Sequence, residues 1–116
     1  MDRTIESNVT VVLAGPSLTI DNAHELIRLI RNVPVDSPPN IIVNLNNTRV
    51  MDSTGVGMLV SSMRYLRQVH GSFAVAGLAP ELRHMFQLMN LNSVLNVFDS
   101  VESASLDLGR KRSGTP

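Results

Sequence analysis

One junction between a predicted strand and a predicted helix limits the possible folds of this chain more than any other stretch. Residues 41–45 are apolar at nearly every position, which is typical of a central strand flanked on both sides and covered by other elements. Beyond a polar loop, apolar residues recur at spacings of three and four: Val56, Leu59, Val60, Met63 and Leu66. That spacing predicts a helix that follows Ser53 and runs to about His70, with Gly71 at its C-terminal cap.

Three polar side chains, Asp52, Ser53 and Thr54, lie where the loop gives way to this helix. Such residues cap helix N-termini because their oxygens accept hydrogen bonds from backbone N–H groups that have no partner in the helix. The first interpretation is a structural cap, with Gly55 and Gly57 allowing a tight turn and close packing on the sheet. The second is a regulatory hydroxyl, because an exposed Ser53 at a helix N-terminus could take or contact a phosphate.

The first part of the chain predicts a hairpin, a helix and a loop. Residues 2–6 and 9–14 are typical of two paired strands, and three prolines make residues 33–40 a surface loop. The helix between them is expected to have Thr19 or Asp21 as its N-cap. Its predicted apolar face is Ala23, Leu26, Ile27 and Ile30.

In the second half of the sequence, predicted strands and helices alternate. Residues 73–76 form an apolar strand, Pro80 opens a helix, and residues 94–98 read as a last short strand before a final helix capped by Asp99 or Ser100. The residues assigned to the core on these two helices are Leu82, Met85, Phe86, Met89, Ala104 and Leu106. Alternating strands and helices predict an α/β fold, with a mostly parallel sheet and helices packed on it.

Composition disfavours several classes of function. The 116 residues suffice for one domain, and without cysteine there is neither a disulfide nor a thiolate metal site. Ten basic and ten acidic residues balance, which gives no support for nucleic-acid binding. No apolar run approaches the roughly 20 residues that span a membrane, and the N-terminus lacks an apolar signal core, so a soluble cytoplasmic protein is expected. Residues 1–108 are assigned to the domain and residues 109–116 to a disordered basic tail.

The common catalytic and cofactor patterns are missing. The sequence has no Gly-x-Ser-x-Gly elbow, and no lysine stands beside a serine or threonine as in a phosphate loop. Gly55-Val56-Gly57 lacks the third glycine and the acidic partner of a dinucleotide site. His70 has no other ligand-type residue at metal-binding spacing, and His84 lies off the apolar stripe of its helix. We therefore expect neither an enzyme nor a metal or cofactor site.

Several stretches together carry a family resemblance. They are Ile42-Val43-Asn44-Leu45, Val50-Met51-Asp52-Ser53-Thr54-Gly55-Val56-Gly57, the strand region 71–78, Pro80-Glu81-Leu82 and the closing stretch 97–104. In this combination they resemble the STAS domain, and most of all the bacterial anti-sigma factor antagonists, over residues 9–108. The resemblance implies a single domain with a mixed, mostly parallel sheet of four or five strands and about four helices. It places Ser53 at the N-terminus of the second helix.

The same resemblance implies a function in partner switching. It implies that the unmodified chain binds an anti-sigma factor that is also a serine kinase, and that phosphorylation at Ser53, or less readily at Thr54, ends this binding. A serine phosphatase would restore the unmodified form. The partner-binding residues so implied are Asp52, Ser53, Thr54, Gly55, Thr19 and Asp21. No nucleic acid or membrane is expected as a partner, and the chain is expected to be a monomer or a weak dimer.

One position departs from the family pattern. An acidic residue usually follows a Gly-x-Leu motif and assists phosphorylation of the serine, whereas Thr19 stands nearest that position in Gly15-Pro16-Ser17-Leu18-Thr19. Two alternatives therefore stay open. The chain could be a STAS scaffold or transporter-associated subunit that is never phosphorylated, or an antagonist regulated by its abundance alone.

Overall fold

The elements alternate along the chain much as the sequence predicts. The computed structural model describes residues 1–6, 8–35 and 38–113. The strands are β1 (Asp2–Glu6), β2 (Val9–Leu13), β3 (Ser17–Leu18), β4 (Asn40–Asn44), β5 (Val50–Met51), β6 (Ser72–Ala76) and β7 (Val97–Phe98). The helices are α1 (Ala23–Arg31), α2 (Ser53–Gln68), α3 (Pro80–Leu88) and α4 (Val101–Ser113), and a 3-10 turn spans Leu91–Ser93. In the described part of the chain no helix is long and apolar enough to cross a membrane.

The main sheet has five strands in the order β1-β2-β4-β6-β7. Only β1 is antiparallel, because it pairs with β2 as the predicted hairpin. The other neighbours are parallel, with Ile42 of β4 opposite Val11 on one side and Ala74 on the other. Ile41, Ile42 and Val43 are fully buried, as expected for a strand with neighbours at both edges and helices on both faces. The predicted α/β class with a mixed, mostly parallel sheet is therefore confirmed.

Helices cover the two faces of this sheet unequally. One hydrophobic cluster joins α1, α2 and α3 to the sheet through residues such as Leu26, Leu59 and Phe86. A smaller cluster packs Ala104 and Leu108 of α4 against the opposite face. The result is a three-layer arrangement in which the crossover helices α1, α2 and α3 lie on one side of the sheet and the C-terminal helix α4 lies on the other.

A second, two-stranded sheet was not predicted. β3 pairs in parallel with β5, with Ser17 opposite Val50 and Leu18 opposite Met51. Two-residue strands have too little periodicity to be recognised in a sequence, and the prediction treated residues 17–21 only as the approach to a helix. This small sheet matters because it holds the segment before α1 against the segment before α2.

Several predicted boundaries and core assignments are corrected. The N-cap position of α1 is Asn22, not Thr19 or Asp21. Met89 is 49 % exposed and Leu106 is 61 % exposed, although both were assigned to the core. Met89 lies just beyond the end of α3, and Leu108 rather than Leu106 is the second buried residue of α4.

Two helix ends differ from the prediction as well. α2 ends at Gln68, and the left-handed residue after it is His70, with φ 61°, rather than the predicted Gly71. α4 continues to Ser113, so the predicted boundary at residue 108 falls within this helix. The disordered tail stays a prediction, and residues 114–116 lie outside the described part. So do Ser7 of the predicted hairpin turn and residues 36–37 of the predicted loop.

Candidate functional site

Asp52 is the N-cap of α2 and comes from the polar cluster 52–54 in which the sequence predicts a cap. Its backbone is extended (φ −109°, ψ −176°), and its side chain turns back over the first turn of the helix. The Oδ1 atom accepts a hydrogen bond of 2.9 Å from the backbone N–H of Gly55. This bond gives a partner to one of the N–H groups that the helix itself leaves free.

The second carboxylate oxygen of Asp52 reaches a different part of the chain. Its Oδ2 atom accepts a hydrogen bond of 3.0 Å from the backbone N–H of Ile20, 32 residues earlier. The amides of Gly55 and Ile20 favour the charged form of the carboxylate and hold the pKa of Asp52 below its usual range. Asp52 is therefore both a helix cap and a negatively charged link between the segment 17–22 and the start of α2.

Ser53 is exposed at the first residue of α2, next to this charge. Within the described ranges, its hydroxyl makes no hydrogen bond. Thr54 is half-buried beside it. Of the two predicted phosphate acceptors, Ser53 is therefore the one that another protein can reach more freely.

Gly55 brings the first turn of α2 into contact with β3. A Cβ atom built on Gly55 would lie 2.1 Å from the carbonyl oxygen of Leu18 and 2.9 Å from Cγ of Met51. Real Cβ atoms do not approach a backbone oxygen so closely, so only glycine fits here without a shift. A Cβ on Gly57 would meet no atom within 4 Å. The predicted close packing thus applies to Gly55 and not to Gly57.

The segment before α1 is held in place by Asn22, a residue that the sequence reasoning missed. Its Oδ1 atom accepts a 2.9 Å bond from the N–H of Thr19, and its Nδ2 atom donates a 2.8 Å bond to the carbonyl of Ser17. Asparagine commonly closes such local turns. The sequence therefore offered a third candidate beside Thr19 and Asp21, and local chemistry did not distinguish among the three. The bonds fix the segment that carries Ile20.

Thr19 and Asp21 lie on either side of Ile20, so the two predicted partner-binding segments meet at one edge of the molecule. Thr19 is half-buried and its Oγ1 atom accepts a 3.3 Å bond from the N–H of Asp21, which is exposed. In the described residues neither side chain is hydrogen-bonded to Ser53. The link between the two segments runs through the backbone of Ile20 instead.

Two exposed apolar side chains border the site and were not predicted. Ile20 is 67 % exposed and Val50 is 57 % exposed. Val50 belongs to the small β3–β5 sheet, and Ile20 lies two residues beyond Leu18 of that sheet. The surface around Ser53 therefore combines a free hydroxyl, a fixed negative charge and apolar side chains, which is a composition suited to contact with another protein.

No group of three or more His, Asp or Glu residues that could hold a metal ion is found where the chain is described. His70 and His84 are exposed.

Comparison with known proteins agrees with this geometry. The family model of the STAS domain matches residues 1–104. The chain is 26 % identical over 102 residues to the anti-sigma-B factor antagonist of Staphylococcus aureus, covering 88 % of this chain and 94 % of the relative. It also resembles the crystal structure of an anti-sigma factor antagonist from Mycobacterium paratuberculosis, with a TM-score of 0.79, 23 % identity and coverage of 91 % of this chain and 90 % of that one. A further neighbour is the Bacillus cell fate determinant SpoIIAA in its phosphorylated form, with a TM-score of 0.67, 23 % identity and coverage of 91 % of this chain and 96 % of that one.

Proposed function

The chain belongs to the STAS domain family, and from this membership we propose that it is an anti-sigma factor antagonist regulated by phosphorylation of Ser53. The unmodified protein binds an anti-sigma factor and thereby frees a sigma factor. The observation that carries the proposal is the exposed Ser53 hydroxyl, which has no hydrogen bond in the described residues and lies at the first position of α2 beside the charged Asp52.

The relatives support this choice of function. The similar protein of Staphylococcus aureus is an anti-sigma-B factor antagonist, and the similar Bacillus protein SpoIIAA has been observed in a phosphorylated form. We propose that the partner is a serine kinase of the histidine-kinase-like ATPase type and that a serine phosphatase reverses the modification. The exchange takes place in the cytoplasm between soluble proteins.

Ser53 suits a reaction in which the partner supplies the catalysis. A hydroxyl that accepts a phosphate in another protein's active site needs exposure, and the base can belong to the kinase. Ser53 has this exposure, whereas Thr54 is half-buried. Thr19, the neutral residue nearest the family's acidic position, makes no hydrogen bond to Ser53 in the described chain. The kinase must therefore provide what that acidic residue contributes elsewhere.

Phosphorylation changes the interface more than the fold. A phosphate adds about −1.5 to −2 charges at neutral pH, next to the Asp52 carboxylate whose pKa is already lowered. The positive end of the α2 dipole tolerates part of this charge. A partner that buries the neutral hydroxyl and the apolar Ile20 would instead have to desolvate a phosphate. The modified form is therefore released.

Binding of a host serine kinase to wild type and three variants tests the proposal. Wild type and Thr54→Ala should bind equally, because Thr54 is not the acceptor. Ser53→Asp should weaken binding at least tenfold, since a carboxylate adds a charge to the desolvated contact, and Ser53→Ala should bind without being phosphorylated. Intact-mass spectrometry of protein from its own host should show an adduct at Ser53. Equal kinase binding by wild type and Ser53→Asp would refute the switch.

The two alternatives give other results in the same experiment. A STAS scaffold or transporter-associated subunit would carry no phosphate under any growth condition and would bind no kinase. An antagonist regulated only by abundance would bind the anti-sigma factor but stay unmodified.

A further inference from the structure

We propose that the exposed face of α2 is one continuous docking surface, with Ser53 at one end and an arginine cluster at the other that binds an acidic surface of the same partner. The arginine cluster consists of Arg28 and Arg31 of α1 and Arg64 and Arg67 of α2. The identity of the partner rests on the proposed function, whereas the charge of its contacting surface follows from the cluster itself.

Helical periodicity places Ser53 and two of the arginines on one face of α2. At about 100° per residue, Arg64 is turned about 20° from Ser53, and Arg67 about 40° the other way. Gly57 and Val60 lie between them on the same stripe. Ser53, Arg64 and Arg67 are exposed, and Gly57 and Val60 are half-buried. The stripe is therefore open to a partner along its whole length.

The middle of this stripe permits close approach. Gly57 has no side chain, and a Cβ there would meet no atom within 4 Å, so the space above it is open. Arg64 lies about 16 Å along the helix from Ser53, at about 1.5 Å per residue. An ordinary interface covers about 800 Å² on each partner, or roughly 30 Å across. One partner can thus contact Ser53 and the arginines together.

α1 adds two further arginines to the same end of the helix pair. The Arg31 guanidinium lies over the ring of Tyr65, 5.7 Å from its centroid, and so reaches α2 next to Arg64. Arg28 lies one turn earlier on α1 and is exposed. The stacking on Tyr65 restricts the Arg31 side chain, which lowers the entropy lost when it binds an anion.

The positive charge of the cluster is not balanced within the described chain. The sequence has no Asp or Glu between Asp52 and Glu81. Glu25, three residues before Arg28, is the single carboxylate of α1, against the four arginines of the cluster. Across the described residues, none of the four arginines has a carboxylate within salt-bridge distance; Arg83 pairs with Asp99 elsewhere. Arginine forms paired hydrogen bonds to carboxylates. The complementary partner surface is therefore acidic.

The decisive experiment compares two double variants in binding to the host kinase at 50, 150 and 500 mM NaCl. The test variant is Arg64→Glu with Arg67→Glu. The control is Arg3→Glu with Arg83→Glu, which changes the net charge equally at exposed positions outside the stripe. Urea unfolding midpoints of both variants establish that each is folded.

The test variant should bind at least tenfold more weakly than wild type at 50 mM NaCl, and the control within about threefold. At 500 mM NaCl the difference in affinity between the test variant and wild type should shrink, because the screening length of exposed charges falls to a few ångströms. If both variants bind alike at every salt concentration, the arginine surface is overturned, whatever Ser53→Asp does. Equal binding of wild type and Ser53→Asp refutes only the switch.

If the kinase binds neither wild type nor any variant, the proposed function is refuted. The arginine cluster is then tested with a second probe, an acidic peptide. A deca-glutamate peptide at 50 mM NaCl should then shift the NMR signals of Arg31, Arg64 and Arg67 in the wild type. The shift of the Arg31 signal should disappear in the Arg64→Glu, Arg67→Glu variant, where the two other arginines are gone. Absence of shifts in the wild type would overturn the acidic-surface proposal.

Discussion

Replacement of Gly55 by alanine should disturb the junction between β3 and α2 in a way that replacement of Gly57 does not. The new Cβ at position 55 would lie 2.1 Å from the Leu18 carbonyl oxygen and 2.9 Å from Met51 Cγ. The carbonyl belongs to a backbone that is paired with β5, so it cannot rotate away as a flexible side chain would. The first turn of α2 must move instead.

The magnitude follows from two opposing effects. Alanine in place of glycine in a helix favours folding by about 1 kcal/mol. Forcing an extra methyl into a packed site costs about 1–3 kcal/mol, and occasionally more. Bringing the new Cβ to even 3.0 Å from the Leu18 carbonyl oxygen requires a shift of about 0.9 Å from the 2.1 Å position. We therefore expect a cost in the upper part of the range of about 1–3 kcal/mol. The Gly55→Ala variant should then be less stable by about 1–2 kcal/mol.

Gly57→Ala is the matched control within the same helix. Its Cβ meets nothing within 4 Å, so only the helix preference remains and the variant should gain about 0.5–1 kcal/mol. With a slope of about 1–3 kcal/mol per molar urea, the two unfolding midpoints should separate by on the order of 1 M. Wild type should lie between them.

Kinase binding by Gly55→Ala gives a second test of the same contact, with wild type as the reference. Movement of the α2 N-terminus in Gly55→Ala shifts Asp52 away from the Ile20 amide, and binding should weaken. A Gly55→Ala midpoint equal to or above that of Gly57→Ala would refute the assigned close contact and, with it, the reason for glycine at this position.

Three further outcomes are expected. The pKa of Asp52 is lowered by amide hydrogen bonds that form on folding, so the charged cap stabilises the folded state above about pH 4, and this stabilisation is lost as the pH falls through the folded pKa. A carboxyl ¹³C titration of Asp52 should give a midpoint below that of an unfolded peptide, and Asp52→Asn should remove the acid-sensitive loss of stability. Thr48 is fully buried, and its hydroxyl donates a 2.8 Å hydrogen bond to the carbonyl of Gly15. Thr48→Val should therefore lower the free energy of unfolding in urea by about 1 kcal/mol, whereas an unchanged midpoint would mean that this bond contributes nothing. Phe86 is fully buried in the larger core cluster, so Phe86→Ala should cost about 3–5 kcal/mol in the same assay, and a loss below 1 kcal/mol would contradict its position in the core.

The sequence was most informative where burial covers both faces of a strand or one face of a long helix. Residues 41–45 predicted the central strand, which the structure places as Asn40–Asn44, and the spacing of Leu59, Met63 and Leu66 predicted α2. A cap among residues 52–54 was also predictable, because an N-cap bonds to backbone groups only a few residues away. These features depend on local chemistry, which the order of residues contains directly.

Features that depend on residues far apart in sequence were not predictable. The bond between Asp52 and the Ile20 amide joins positions 32 residues apart, and the pairing of β3 with β5 rests on two residues from each segment. Met89 is exposed because α3 ends just before it. The assignment of Leu106 was wrong because residues two apart in a helix face different ways, so Ala104 shares its buried face with Leu108 instead.

The sequence by itself determined the class of fold, the order of its main elements and the position of Ser53 at the start of a helix. Only the tertiary structure decided what surrounds that serine: the Ile20 segment held against it, the carbonyl of Leu18 that requires glycine at position 55, and the arginines of two helices gathered at the far end of α2. The physical reason is that periodicity and capping act over a few residues, whereas these contacts form only when the parallel crossovers bring separate segments to the same edge of the sheet.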